Sequence, residues 1–275
     1  VNLNYRFKDS TVSNSPKPGY KYMEPGLYMF PAYQDTIRSC ILHSPLNPKK
    51  EYAYSDLGFI LLKFAVEHVT EKSLEQYCQE EFYRKLGMYH TDFLAHKRLN
   101  KNNLVPSCVD KLYRKTELKG YVHDPVAALL GGIAGHAGLF STAEDLAKMM
   151  QLYLNGGTYG GEYYFSPETM VTFSCKNNLF PKNRRGLGFD KPEPDQTKIN
   201  PVSKCLPLTS FGHTGFTGIM AWCDPDNKLL YLFLSNRTYP DEFNTKLSEM
   251  NIRTQIQDII YPVSYTHLTL PTIYS

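Results

Sequence analysis

The sequence predicts an α/β (α+β) protein, with an antiparallel sheet flanked by helices, and three observations lead there. Residues 217–223 and 229–235 are two apolar, β-prone runs joined by Asp224-Pro225-Asp226-Asn227-Lys228, which has the turn chemistry of a hairpin. Leu57, Ile60, Leu61 and Phe64 recur at helical spacing, and so do Leu247, Ile252, Ile256 and Ile260 near the other end. Between these lie long stretches rich in Pro, Gly and Asn, so the regular elements belong to one unit with loop-rich insertions.

Taken in order, residues 1–50 carry Pro16, Pro18, Pro25 and Pro31 with little periodicity and read as mostly loop, with one short helix over 34–42. A helix over 57–69 follows, its first turn within reach of a cap from Ser55 or Asp56. A second, over 74–85, opens on a Ser73/Gln76 capping box and stops at Gly87. The glycines of 129–140 imply tight turns and close backbone approach in place of a helix. Ser141 with Glu144 opens a helix through Leu154, ended by Asn155-Gly156-Gly157, and 171–209 reads as a long connection.

Composition excludes several functions. Thirty Lys and Arg against 27 Asp and Glu give a net charge of +3, with the basic residues scattered, so neither nucleic acid nor a membrane surface is indicated. The one basic cluster, Lys182-Asn183-Arg184-Arg185, reads as a solvated loop. No apolar run approaches the ~20 residues of a membrane span. Cys40, Cys78, Cys108, Cys175, Cys205 and Cys223 are widely separated and show no metal-ligand spacing, so no metal or other cofactor is expected and buried free thiols are the preferred reading. Residues 263–272 look like one reading frame of a sequencing adaptor, and 263–275 is set aside with them. Hence native sequence is expected over 1–262, as a partial domain, with a non-native tail after it.

Two motifs carry chemistry. Ser210-Phe211-Gly212-His213-Thr214-Gly215-Phe216-Thr217-Gly218 and Tyr54-Ser55-Asp56-Leu57-Gly58-Phe59 bracket a third segment that runs from Gly135-His136-Ala137-Gly138 through Asp145-Leu146. In this order and spacing they resemble the β-lactamase-related serine hydrolases, which include class C β-lactamases, D-alanyl peptidases and esterases. The likeness extends over 42–261 and is greatest to bacterial chains that fuse this domain to a family 3 glycoside hydrolase. It implies a β-lactamase/transpeptidase-like fold with a helical subdomain beside the sheet, an acyl-enzyme mechanism, and a small-molecule or cell-wall-derived substrate handled outside the cytoplasm. The family's third motif, the Ser-x-x-Lys with the nucleophile, is absent: no serine here has lysine three residues on. The chain is therefore expected to be an N-terminally truncated fragment, catalytically silent as given, with an exposed sheet edge where the missing strands pair.

The resemblance assigns roles residue by residue. Tyr54 would share the work of general base with the missing lysine; a phenol near pKa ~10 needs neighbouring cations for that. An ordinary core tyrosine is the competing reading, since the chain has 21 tyrosines. Asp56 stands where the family has asparagine, so it can only accept, or it serves as a helix cap. His213 replaces the lysine of Lys-Thr-Gly. Its weaker fixed charge should favour esters over β-lactams gripped by a carboxylate. Thr214 would bind polar groups of the substrate, Gly215 would admit it close to the strand, and the Phe216 N–H would be an oxyanion donor. Tyr54 and His213 are expected across one cleft, whereas His136 reads as structural. The alternative function is a non-catalytic module that binds peptidoglycan or polysaccharide for an attached glycosidase.

Overall fold

A computed structural model describes residues 11–46, 48–49, 51–180 and 183–268, and only the backbone beyond Pro262. The chain forms two compact units. The first holds residues 1–145 with 238–242, the second 146–237 with 243–275.

The first unit opens on β1 (Val12–Ser13), β2 (Lys21–Glu24) and β3 (Leu27–Met29), a small antiparallel sheet in the order β1-β3-β2. This corrects the loop reading for residues 12–29. The prolines lie in its turns, and Pro25-Gly26 closes the β2–β3 hairpin with Gly26 at φ +70°. Helix α1 (Tyr33–Leu42) matches the short helix expected over 34–42, and α2 (Leu57–Thr70) follows as the periodicity predicts. α3 (Leu74–Cys78) is capped by Ser73, which accepts from the Gln76 N–H at 3.1 Å, and continues as one π-turn over Gln79–Tyr83 to Gly87 at φ +67°. The short α4 (Ala95–Arg98), the hairpin β4 (Pro106–Asp110) and β5 (Thr116–Lys119), and α5 (Pro125–Leu129) complete it. Met29, Ile37, Ile41, Ile60, Ala128 and Leu129 form its core.

Beneath that core lies a buried ion cluster. The Arg114 guanidinium pairs with Glu24 at 2.7 Å and Asp110 at 2.5 Å, and donates to the carbonyls of Val122 and His123. One arginine thereby ties β2, the β4–β5 turn and the approach to α5 together. The pair β4–β5 had no signal in the sequence beyond polar, unperiodic residues.

In the second unit, α6 (Ala143–Leu154) is followed by the hairpin β6 (Thr158–Tyr159) and β7 (Glu162–Tyr163), and by α7 (Pro167–Ser174). The cap of α6 is Thr142, whose hydroxyl accepts from Asp145 N–H; the expected Ser141 instead pairs with Thr91. Strands β8 (Phe211–Thr214), β9 (Met220–Asp224) and β10 (Leu229–Phe233) form an antiparallel sheet in the order β10-β9-β8. Alternation divides their side chains between two faces. Met220, Trp222 and Tyr231 pack with Tyr261 of the C-terminal helix, and Phe211 and Cys223 pack with Met150 of α6 and Met170 of α7. After α8 (Lys246–Glu249), the chain turns at Asn251 (φ +50°) into α9 (Ile252–Leu268). The adaptor expectation for 263–275 bears on side chains outside the described residues.

All six cysteines are free thiols, but only Cys108 and Cys223 are buried; Cys40, Cys175 and Cys205 are exposed. Burial pushes the Cys223 thiol up to about 12 and makes it unreactive.

Gly212 of β8 is closely packed. A Cβ there would fall 2.2 Å from the Ala221 carbonyl oxygen and 2.5 Å from the Trp222 ring. Gly212→Ala is expected to cost about 3 kcal/mol, the upper end for an overpacked core. Gly58→Ala, in the open first turn of α2, should be neutral or stabilising by about 0.5–1 kcal/mol. Urea midpoints of the two variants check the contrast.

Candidate active site

The Tyr54 motif enters α2. Ser55 Oγ accepts from the Leu57 N–H at 3.3 Å, so Ser55 closes the entry turn. Asp56 sits at the cap position, yet its carboxylate does not cap. It accepts from the Tyr54 hydroxyl at 3.1 Å. Between the two sequence readings of Asp56, the side chain serves the tyrosine and the backbone carbonyl serves the helix, accepting from Ile60 N–H at 3.0 Å. Tyr54 is half exposed, which rules out the ordinary core tyrosine.

The Gly-rich segment near His136 packs on α2, for a Cβ at Gly135 would meet the Phe59 carbonyl at 2.1 Å. His136 Nε2 lies 3.0 Å from Asp124, whose carboxylate also caps α5 through the Ala127 N–H at 2.7 Å. Burial works to raise the Asp124 pKa, but His136 and the amide outweigh it and hold this carboxyl below its ordinary range. Asp124 thus holds His136 within the first unit.

In the second unit, β8 presents His213 and Thr214, with Gly215 and Phe216 in the turn beyond. Gly215 N–H donates to Ile219 at 2.8 Å and Gly218 N–H to Gly215 at 3.0 Å, which folds the turn tightly back toward β9. The Arg237 guanidinium stacks 4.3 Å from the Phe216 ring, and its Nε donates to the Phe216 carbonyl at 2.6 Å.

His213 has a partner that the motif did not reveal. Its Nε2 is 2.7 Å from Arg185 Nη1, and its Nδ1 is 2.7 Å from the Thr214 carbonyl oxygen. Arg185 also pairs with Asp190 at 2.9 Å, as Arg184 does at 2.8 Å. The segment bearing them runs against β8, since Asp190 and Gly212 exchange backbone hydrogen bonds of 2.7 and 3.1 Å. The solvated-loop reading of the basic cluster is therefore corrected for its described residues: Asn183 is buried and the Arg185 side chain is 17% exposed. A usable signal lay just downstream. Gly186-Leu187-Gly188-Phe189-Asp190 is close-packed turn chemistry, with Gly186 against the Phe173 and Cys175 carbonyls and Gly188 at φ +96°. The expectation of little fixed charge at His213 considered the imidazole alone; an arginine, always protonated, stands beside it.

Tyr54 and Asp56 belong to the first unit, and His213, Thr214, Gly215, Phe216 and Arg185 to the second. Among the described residues, no cluster of metal-ligating side chains occurs, and no helix is long and apolar enough to cross a membrane.

Residues 16–250 match the Beta-lactamase family. The chain belongs to the β-lactamase family. Its membership covers the β-lactamase/transpeptidase-like serine hydrolases, and its relatives include proteins assigned by name as D-alanyl-D-alanine carboxypeptidases. One from Escherichia coli (strain K12) is 36% identical over 215 residues, which cover 72% of this chain and 48% of the relative. One from Salmonella gallinarum is 31% identical over 242 residues, covering 80% and 54%. The chain thus spans about half the length of the curated relatives it matches. The fold of this family member is shared with simvastatin synthase from Aspergillus terreus (TM-score 0.54, 16% identity, 88% of this chain and 66% of that one). A β-lactamase from Mycobacterium bovis gives a TM-score of 0.53 at 19% identity, covering 80% and 66%.

Proposed function

We propose that the full-length protein is a serine hydrolase that forms an acyl-enzyme with substrates ending in a carboxylate, of the acyl-D-amino-acid type found in cell-wall peptides. The observation that carries this reading is the Arg185 guanidinium 2.7 Å from His213 on the His-Thr-Gly strand. A planar, permanently charged fork matches a carboxylate better than an imidazole does. This removes the physical basis for preferring neutral esters. A lysine at His213 would set its ammonium against the arginine. The names of the relatives support the same substrate class and an extracytoplasmic setting.

In this reading Tyr54, oriented by its hydrogen bond to Asp56, relays the proton during acylation. Thr214 binds the substrate beside Arg185, Gly215 admits it to the strand, and the Phe216 N–H supplies one oxyanion donor. In this reading the nucleophilic serine and its lysine belong to a part of the full-length protein outside these residues, as would any glycoside hydrolase domain. The chain alone should therefore stay unlabelled by a fluorophosphonate or a fluorescent penicillin. Stoichiometric labelling of any serine here would overturn the assignment. For the substrate class, the test is hydrolysis of an N-acyl-D-alanyl-D-alanine peptide by the full-length protein against its C-terminally amidated form. Equal kcat/KM for both would remove the carboxylate requirement.

A further inference from the structure

We infer that Asp190 is a positioning residue that holds Arg185 on His213, and that the imidazole is thereby fixed as its neutral Nδ1–H tautomer. The inference rests on the reading of Arg185 as the carboxylate-binding group and concerns what keeps that group in place.

The hydrogen-bond chemistry at His213 leaves one assignment. A carbonyl oxygen only accepts, so Nδ1 must donate to Thr214 at 2.7 Å. A guanidinium only donates, so Nε2 must accept from Arg185 at 2.7 Å. A protonated imidazole would turn two N–H groups outward and set one against the arginine. The strand thus offers one permanent cation, backed by a neutral ring, in place of two competing ones.

That arrangement requires Arg185 to be held, because a long, solvated side chain would leave the ring for water. Asp190 does the holding. Its side chain is 4% exposed; Oδ2 takes Arg185 Nη2 at 2.9 Å and Arg184 Nη2 at 2.8 Å, while Oδ1 takes the Lys191 N–H at 2.8 Å. Its backbone is tied to Gly212, the residue before His213, on both sides. The carboxylate and the imidazole are therefore anchored one residue apart in register, and Arg185 spans them.

Lys191 locks the segment from the other side. It is buried, and Nζ donates to the carbonyls of Ser174 (3.0 Å), Thr209 (3.2 Å) and Ser210 (3.0 Å), which matches the three donors of an ammonium. The Arg184 Nε donates to the Lys191 carbonyl at 3.0 Å. The end of α7, the entry to β8 and the arginine-bearing turn are pinned by one side chain.

The test is spectroscopic and uses the chain with ¹⁵N-labelled histidine. Long-range ¹H–¹⁵N correlation above neutral pH distinguishes the two neutral tautomers, and His213→Gln identifies the His213 signals among the eight histidines. The wild type is expected to show His213 as Nδ1–H. Asp190→Asn keeps the size of the side chain but loses its charge, and Arg185→Gln removes the guanidinium and shortens the reach. Each should shift His213 to the Nε2–H form that free imidazoles prefer, with the other histidine signals unmoved. Asp190→Glu, which keeps the carboxylate, should retain at least part of the Nδ1–H signal and decides the matter if Asp190→Asn disturbs the fold. A wild-type His213 in the Nε2–H or protonated form, or an unchanged tautomer in both Asp190→Asn and Arg185→Gln, would overturn the inference. Either result leaves the carboxylate requirement of the substrate to stand or fall on the amidated-peptide comparison.

Discussion

Arg185→Gln in the full-length protein is expected to lower kcat/KM for an N-acyl-D-alanyl-D-alanine peptide about a hundredfold. Charge-assisted hydrogen bonds are worth about 1.5–3 kcal/mol when one partner is removed, and each 1.4 kcal/mol is a factor of ten. The arginine lies in a partly closed position, with its side chain 17% exposed, so solvent screens it less than a surface charge. The amidated peptide lacks the group that Arg185 is proposed to bind, and its kcat/KM should fall less than about threefold. Parallel losses on the two substrates would mean that the variant damages His213 or the fold, and that Arg185 does not read the carboxylate. Unchanged kcat/KM on both would remove Arg185 from the site altogether.

Arg114→Met should be the most damaging single change to stability in the first unit, on the order of 3–5 kcal/mol at neutral pH. The arginine and both carboxylates are nearly inaccessible, with side-chain exposures of 2% for Arg114 and 5% each for Glu24 and Asp110. Losing the cation leaves two buried anions without a counter-charge. The two carboxyls respond differently to pH in the native protein. For Asp110, burial pushes upward, but the Tyr113 and Arg114 amides and the guanidinium prevail and hold it below its ordinary value of 3.8. Its contribution is present above that value and is lost as pH falls through the lowered one. For Glu24, burial prevails over Arg114 and raises the group above 4.5, so its ionised form costs stability once pH rises through the raised value. In Arg114→Met neither carboxylate keeps its cation, and both should hold protons to higher pH. The deficit against wild type should therefore shrink as pH is lowered to about 4, and the triple variant Glu24→Gln/Asp110→Asn/Arg114→Met should recover much of it. Urea midpoints at the two pH values decide this. A deficit that does not change with pH would mean lost packing, with the charges playing no part.

How much of this was legible depends on how local the cause is. Helices α2, α3 and α9 and the β9–β10 hairpin follow from short-range periodicity, caps and turn residues, which act within a few residues. The β1–β3 sheet and the β4–β5 hairpin escaped because their strands are too short to show a period. Their pairing is rewarded by contacts such as Arg114 with Glu24, which are 90 residues apart. The cap of α6 went to Thr142 because Ser141 found a partner 50 residues away in Thr91.

The candidate site divides along the same line. The sequence by itself determined the family, the Tyr54 and His213 motifs, and the absence of any Ser-x-x-Lys, because these are matters of residue identity and spacing along one strand or one helix entry. Only the tertiary structure decided what His213 is chemically. A histidine's proton is assigned by whatever faces its two nitrogens, and one of those partners, Arg185, comes from a turn 28 residues upstream. The order of residues records that an imidazole replaces an ammonium. It does not record that the fold folds a guanidinium back against it, because that contact depends on a backbone bridge, a buried carboxylate and a buried lysine acting together through space.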